Sequence, residues 1–396
     1  MLPLVPLVLL QLVAGTPGSA SCQLLAADSP ARPAPDRGAG SEPAPFPIPT
    51  TSYHFYVAST GLDTNPGTWS APFRTIARAA RAALPSSTVH VAPGTYPGGF
   101  RTTVNGTAAG RIYFVSTVKW GATIVPPVLS RNKMAWDNRG DYVDIIGFRV
   151  DGSAWQGGTK WTYGIYNGGS HDMIRNNWVH DIARNAPCTS AGGSAIGIDS
   201  YYRGVQSDVV GNLVHDIGPP GCRFVQGIYI STSGTVRNNV VYRVSEAAIN
   251  LWHDANNVVI ANNTVSTSGV GIVVGGGDYY FTSAGANDVH VHSNIVYDNK
   301  YGISERGRTG TGNTYRNNLV YKNVHNWTLQ NRLTHRGTVA ASPQFISYAR
   351  TGKVDLRPGP TSPAIGKGNA TFALPYDFDN RPRNPATGYD IGALQH

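Results

Sequence analysis

The residue types best suited to proton transfer fall on three short segments: Asp199 in AIGIDSYY, Tyr229 in QGIYIS, and Asn250, His253 and Asp254 in AAINLWHD. A histidine titrates near neutral pH and can take or return a proton. A tyrosine can act as the matching acid, and an asparagine amide can stabilise charge developing on a carboxylate. Around these segments lie Tyr201, Tyr202, Arg203, Trp252, Asp278, Glu305, Arg306 and Arg308. Rings offer flat apolar faces and guanidinium groups pair bidentately with carboxylates. The combination suits acid–base chemistry on a carboxylate-bearing ligand with apolar ring faces.

What must position these residues is a repeat. NNWVHDI from Asn176 returns as GNLVHDI, NNVVYRV, NNTVSTS, SNIVYDN and NNLVYKN. Each copy carries an asparagine and, two places on, a valine: Asn177/Val179, Asn212/Val214, Asn239/Val241, Asn263/Val265, Asn294/Val296 and Asn318/Val320. Period two is the period of a strand. Units of this size cannot bury an apolar face alone and must stack, which puts equivalent side chains in columns about 4.8 Å apart and builds an asparagine ladder. A second strand precedes each ladder position, with Ile165, Ile198, Ile228, Ile249, Ile272 and Ile303 facing inward. Short strands with no helical period between them predict an all-β, parallel β-helix. If those isoleucines align, Tyr229 stacks directly between Asp199 and Asn250, with His253 and Trp252 at the rim of that outward column and Arg306 two coils on.

The chain has 396 residues and a formal net charge of +9, which favours a polyanionic partner. Residues 1–21 read as an export signal, an apolar run followed by small residues, although no basic residue opens it. The run is too short for a membrane span. Residues 22–52 are Pro-rich and read as a linker, leaving 53–396 as one β-helix domain. Export selects an acidic polysaccharide over nucleic acid and predicts a secreted protein, expected to be a monomer. Lipid anchoring at Cys22 is not expected, because Ser19 fits the required motif poorly.

The segment RTIARAARAAL predicts one amphipathic helix, with Ile76, Ala79, Ala80 and Ala83 on its apolar face, capping the open end of the solenoid. The loop-rich stretch after Arg332 is expected to pack back across the last coil. Cys188 and Cys222 follow His180 and His215 at similar distances on adjacent coils, so stacking brings them within disulfide reach. The pairs His180/Asp181 and His215/Asp216 stand in a column continued by Tyr242 and read as stacked structural residues, and His290/His292 alternate with valine on a strand; no metal site is expected.

The opening YHFYVASTGLDTNPGTWSAPFRTIARAARAALPSSTVHVAPGTY resembles the N-terminal cap of secreted right-handed parallel β-helix proteins related to pectate lyases, and SPAIGKG through YDFDNRPRNPATGYDIGALQ is similar to their tail. The resemblance implies this fold and an activity on polysaccharides. Its calcium-dependent members imply a cluster of aspartates with a lysine base; Asp199 and Asp254 stand alone here, so no cofactor is called for and calcium is left open. The leading expectation is a polysaccharide lyase cutting a uronate-containing glycan by β-elimination. A glycoside hydrolase, a C5-epimerase and a non-catalytic glycan-binding solenoid stay open, the hydrolase because Asp199 and Asp254 lie two coils apart.

Overall fold

In the computed structural model the described residues are 49–396. The expected signal segment, Cys22 and most of the linker lie outside them. Three parallel sheets of eleven, nine and nine strands wind as a solenoid, with a two-stranded antiparallel pair near the end. No helix among the described residues is long and apolar enough to cross a membrane.

Nine coils each contribute one strand to every sheet, and the long sheet gains one further strand at either end. In the central coils the long sheet carries Ser207–Val210, Gly234–Arg237 and Val258–Ala261, and the ladder sheet carries Leu213–Ile217, Val240–Val244 and Thr264–Ser266. The third sheet, called the outer-face sheet below, carries Gly193–Ile198, Val225–Ile230 and Ala247–Leu251. The valines pair in register from Val179 to Val320 and are 0–1 % exposed.

The ladder forms at the corner between the long sheet and the ladder sheet. Nδ2 of Asn177, Asn212, Asn239, Asn263 and Asn294 each donates to Oδ1 of the next asparagine at 2.9–3.1 Å. The backbone N–H of each donates to the same oxygen at 2.9 Å. The residue before each ladder position has φ between 53° and 66°, which is why it is Asn, Gly or Ser. Below this corner His180, His215 and Tyr242 stack with centroids 5.3 and 4.9 Å apart.

At the N-terminal end the helix Ile76–Ala82 lays Ile76, Ala79 and Ala80 on the core. Thr75 caps it by accepting from the Arg78 N–H at 3.1 Å. Folded contacts begin at Thr51, whose hydroxyl meets that of Thr88 at 2.7 Å. Cys188 and Cys222 form a disulfide with Cα atoms 5.5 Å apart.

The C-terminal segment reaches further than expected. Val339 does pair with Leu319 in the last coils. Beyond it, Leu356, Phe378, Ala393 and Leu394 cover Val240 and Tyr242, while Ala364 and Ile391 cover Ile295, Tyr297 and Leu319. The cause is legible in hindsight: the outward column of the ladder sheet carries apolar residues, and something must bury them.

Candidate functional site

The outer-face sheet presents one column in register through nine strands: Arg101, Asp137, Tyr166, Gly197, Tyr229, Asn250, Val273, Ser304 and Thr328. This corrects the sequence alignment at one coil. Ile196, not Ile198, pairs with Ile165 and Ile228, so Tyr229 stands between Gly197 and Asn250. Ile196 and Ile198 both point inward at period two, and the strand alone does not say which one aligns. Asp199 consequently lies past the strand end, beside Ser231.

Gly197 opens a gap between the Tyr166 and Tyr229 rings, which stand two strand spacings apart, roughly 9.6 Å. At its floor the Ser194 hydroxyl lies 2.9 Å from where a Cβ on residue 197 would sit and has no hydrogen-bond partner. On one wall the Tyr166 hydroxyl donates to Asp199 Oδ2 at 2.7 Å, and Oδ1 of the same carboxylate accepts from Ser231 Oγ at 2.8 Å and the Tyr201 N–H at 3.0 Å. Arg139 lies over the Tyr202 and Tyr166 rings at 3.4 and 4.5 Å and meets Asp137 Oδ1 at 2.5 Å, while Arg101 donates to Asp137 Oδ2 at 2.7 Å. Two guanidinium groups thus share the Asp137 carboxylate, and with the Asp199 carboxylate beside Tyr166 this end of the face sets two cations against two anions.

The opposite wall is built by the loop after Gly276. His253, at φ 51°, directs Nδ1 to the Asp278 carbonyl at 2.6 Å, so Nδ1 carries the proton and Nε2 accepts from the Tyr280 hydroxyl at 2.8 Å. Tyr229 meets the His253 ring edge-on, centroids 6.0 Å apart. Burial, then the charge of Asp199, holds Tyr166, Tyr229 and Tyr280 well above the usual phenol range, and Tyr163 is pushed up to about 12 by the same two causes. All four are protonated phenols at neutral pH. Neither the Tyr229 hydroxyl nor the Asn250 amide has a hydrogen-bond partner among the described residues.

Other expected site residues are already engaged. Asp254, 7 % exposed, accepts from the Phe281 and Thr282 N–H groups, the Thr282 hydroxyl and Ser200 Oγ, so it pins the Tyr280 loop. Glu305 points into the core, where Oε1 accepts from Asn313 and Tyr315 and Oε2 from the Gln330 N–H; its expected place on the surface is wrong because strand alternation turns it inward. Arg306 pairs with Glu246 at 2.7 Å across the coils. Trp252 lies against Gly275 and Gly307, where a Cβ would come within 2.9 Å of its ring, and donates to Asp278 Oδ2 at 3.1 Å. Tyr201 and Tyr202 remain exposed, Arg203 stacks on Phe281 at 4.3 Å, and Arg308 is exposed against Gly276 and Ala286 at the two ends of the loop that carries Tyr280. Tyr166 stands on the outward column and Tyr280 on a loop, as the sequence suggests, but neither was assigned a role; Arg139, Arg101 and Asp137 were missed because all three lie in coils before the recognisable repeat.

Among the described residues, Asp151, His180 and Asp181 place possible ligand atoms within 4.8 Å of one another. Both nitrogens of that histidine are occupied: Arg149 Nε meets Nε2 at 2.9 Å and Asp181 Oδ2 meets Nδ1 at 2.8 Å.

A family model described as a protein of unknown function, DUF1565, matches residues 59–101, the helix and first coil. No curated protein sequence matches the chain. Among solved structures the chain is similar to the pectate lyase Pel9A, with a TM-score of 0.59 and 17% identity over 87% of this chain and 97% of that one. It is also similar to the A-module of the Azotobacter vinelandii mannuronan C-5 epimerase AlgE4, at TM-score 0.49 and 17% identity over 66% of this chain and 68% of that one. An alginate lyase from Paenibacillus sp. str. FPU-7 gives TM-score 0.48 and 17% identity over 68% and 87% respectively. The likeness is one of architecture: the chain is a parallel β-helix of the pectate lyase kind.

Proposed function

We propose that the chain is a secreted polysaccharide lyase that cleaves a uronic-acid-containing glycan by β-elimination on the outer face between Tyr166 and Asn250. The observation that carries this reading is the adjacent pair Tyr229 and Asn250, whose side-chain polar groups have no hydrogen-bond partner among the described residues.

The reaction breaks the C–H bond beside the uronate carboxylate and the bond from the ring to the leaving oxygen, and forms a carbon–carbon double bond. Asn250 holds the carboxylate through its amide and makes that C–H more acidic. The Tyr280 oxygen takes the proton as its own passes to His253 Nε2, a transfer prepared by the Nδ1–H bond to the Asp278 carbonyl. Tyr229, kept protonated, delivers a proton to the leaving oxygen. Solvent resets both groups. Asp199 and Asp254 each accept several internal hydrogen bonds, which weighs against the paired carboxyls an inverting hydrolase needs.

A panel of pectate, alginate and glycosaminoglycans, with and without chelator, tests the reading. Unsaturated product absorbing at the ultraviolet edge is expected on at least one of them. Reducing ends without unsaturation would select hydrolysis, and deuterium entering C5 without cleavage would select epimerisation.

A further inference from the structure

Two hollows open along the corner where the ladder sheet turns into the outer-face sheet, and none of their lining residues belongs to the face described above. The first, about 340 Å³, is walled by Trp155, Trp161, Lys160 and Arg184, with Asp181 and Ser153. Trp155 is 41% exposed, while Trp161 is 3% exposed and its indole N–H has no hydrogen-bond partner. The Lys160 ammonium lies 4.7 Å from the Trp155 ring and 2.5 Å from the Asn185 carbonyl. The second hollow, about 660 Å³, begins at the same Arg184 and continues past Asp216 and Arg243 to Lys353, which the C-terminal segment supplies. Arg184 bridges Asp181 and Asp216 at 3.5 and 3.3 Å, and Arg243 holds Asp216 with two nitrogens at 2.7 and 2.9 Å. Lys160, Arg184 and Arg243 precede outer-face strands spread over four successive coils, a span of roughly 14 Å along the axis.

We infer that this trough is a second binding site for an acidic polysaccharide, with one sugar ring stacked on the exposed Trp155 and the chain running along the solenoid over Arg184 towards Arg243 and Lys353. The inference rests on the polymer class proposed above but not on the reaction. Four cations face two carboxylates, so the trough favours an anionic chain. Its carboxylates stand between the cations, where they accept sugar hydroxyls but repel a phosphate on every unit; this favours sparsely charged carboxylated sugars over nucleic acid. The exposed indole face of Trp155 covers the apolar side of a pyranose. The loop from Ala183 to Gly192 links the two sites: it lines the first hollow, is tied by Cys188 to Cys222, and its Ala191 carbonyl accepts from the Tyr163 hydroxyl at 3.3 Å. A polymer held in the trough is thereby held beside the reactive face.

Electrophoretic retardation of the full chain in gels containing polygalacturonate, alginate, hyaluronate, neutral dextran or single-stranded DNA tests this. Wild type should be retarded by at least one acidic polysaccharide and by neither dextran nor DNA at matched charge concentration. The double variant Trp155→Ala/Lys160→Ala should lose at least fivefold in retardation with an unchanged circular dichroism spectrum, Trp155→Phe/Lys160→Arg should restore most of it, and turnover of short oligosaccharides should stay the same. Unaltered retardation in the alanine variant, no retardation of wild type by any of the three polysaccharides, or equal retardation by DNA would each overturn the inference. If retardation depends on Trp155 and Lys160 but no unsaturated product ever forms, the trough stands and the lyase reading falls.

Discussion

At the scale of single residues, the outer face separates groups that hold the structure from groups left for a ligand. Tyr229→Phe removes one oxygen with no hydrogen-bond partner among the described residues, so kcat should fall by roughly 10²–10⁴ with the melting temperature nearly unchanged. A variant with full activity would exclude Tyr229 as the acid. Asp254→Ala behaves differently: it releases the Phe281 and Thr282 N–H groups and frees the loop that carries Tyr280. It should lower activity and thermal stability together, whereas a catalytic carboxylate would lower activity alone. The neighbours Tyr229 and Asn250 were legible because each directly follows an isoleucine of one aligned column. Asp199 was misplaced by one strand pair because its segment offers two isoleucines at period two. Tyr280 was not legible as a partner of His253, since it arrives on a loop between coils and no periodicity fixes where a loop folds.

Sheets and their corners obey stricter rules. Asn239 accepts at Oδ1 from both nitrogens of Asn212 and donates to Asn263 and to two carbonyls, all buried. Asn239→Ala strands these partners without water, and a loss of roughly 3 kcal/mol or more is expected in urea unfolding; a loss below about 1 kcal/mol would mean the ladder is not under tension from its neighbours. The long sheet carries a pH-dependent counterpart. His292 is 4% exposed, its Nε2 meets Thr314 at 2.9 Å, and burial, then the charge of His290, lowers its pKa to about 4. The unfolded chain, titrating near 6.5, binds the proton first. Stability held by the neutral ring is therefore intact above pH 6.5 and falls as pH drops towards 4, by up to roughly 3 kcal/mol. Urea midpoints of wild type and His292→Gln, compared between pH 7 and 4.5, should converge at the acid end. Parallel curves would show that the ring is protonated in the folded chain.

For the whole molecule, the stacking direction was plain in the sequence because an interior asparagine must be repeated at every coil or leave its neighbour's amide unbonded. The path of the C-terminal segment was not, because the apolar outward residues it covers look the same as residues facing a core. Opening the Cys188–Cys222 bridge, which spans 34 residues, should cost roughly 3–4 kcal/mol in the chain-entropy model. A Cys188→Ser/Cys222→Ser variant with an unshifted melting temperature would argue against that figure. The ladder has a mechanical corollary. Pulled by its ends along the axis, a stack of coils gives way one coil at a time, and each rupture releases the chain between successive asparagines: 35, 27, 24, 31 and 24 residues. At about 3.4 Å per extended residue these are steps of roughly 8–12 nm, so a force trace separates the 35-, 31- and 27-residue releases from the two equal 24-residue ones. In the oxidised protein the first and longest step should shrink to roughly 4 nm, because the bridge from Cys188 to Cys222 locks the chain from 188 to 212 and leaves only 177 to 188 free to extend; the full step should return when a reductant is added.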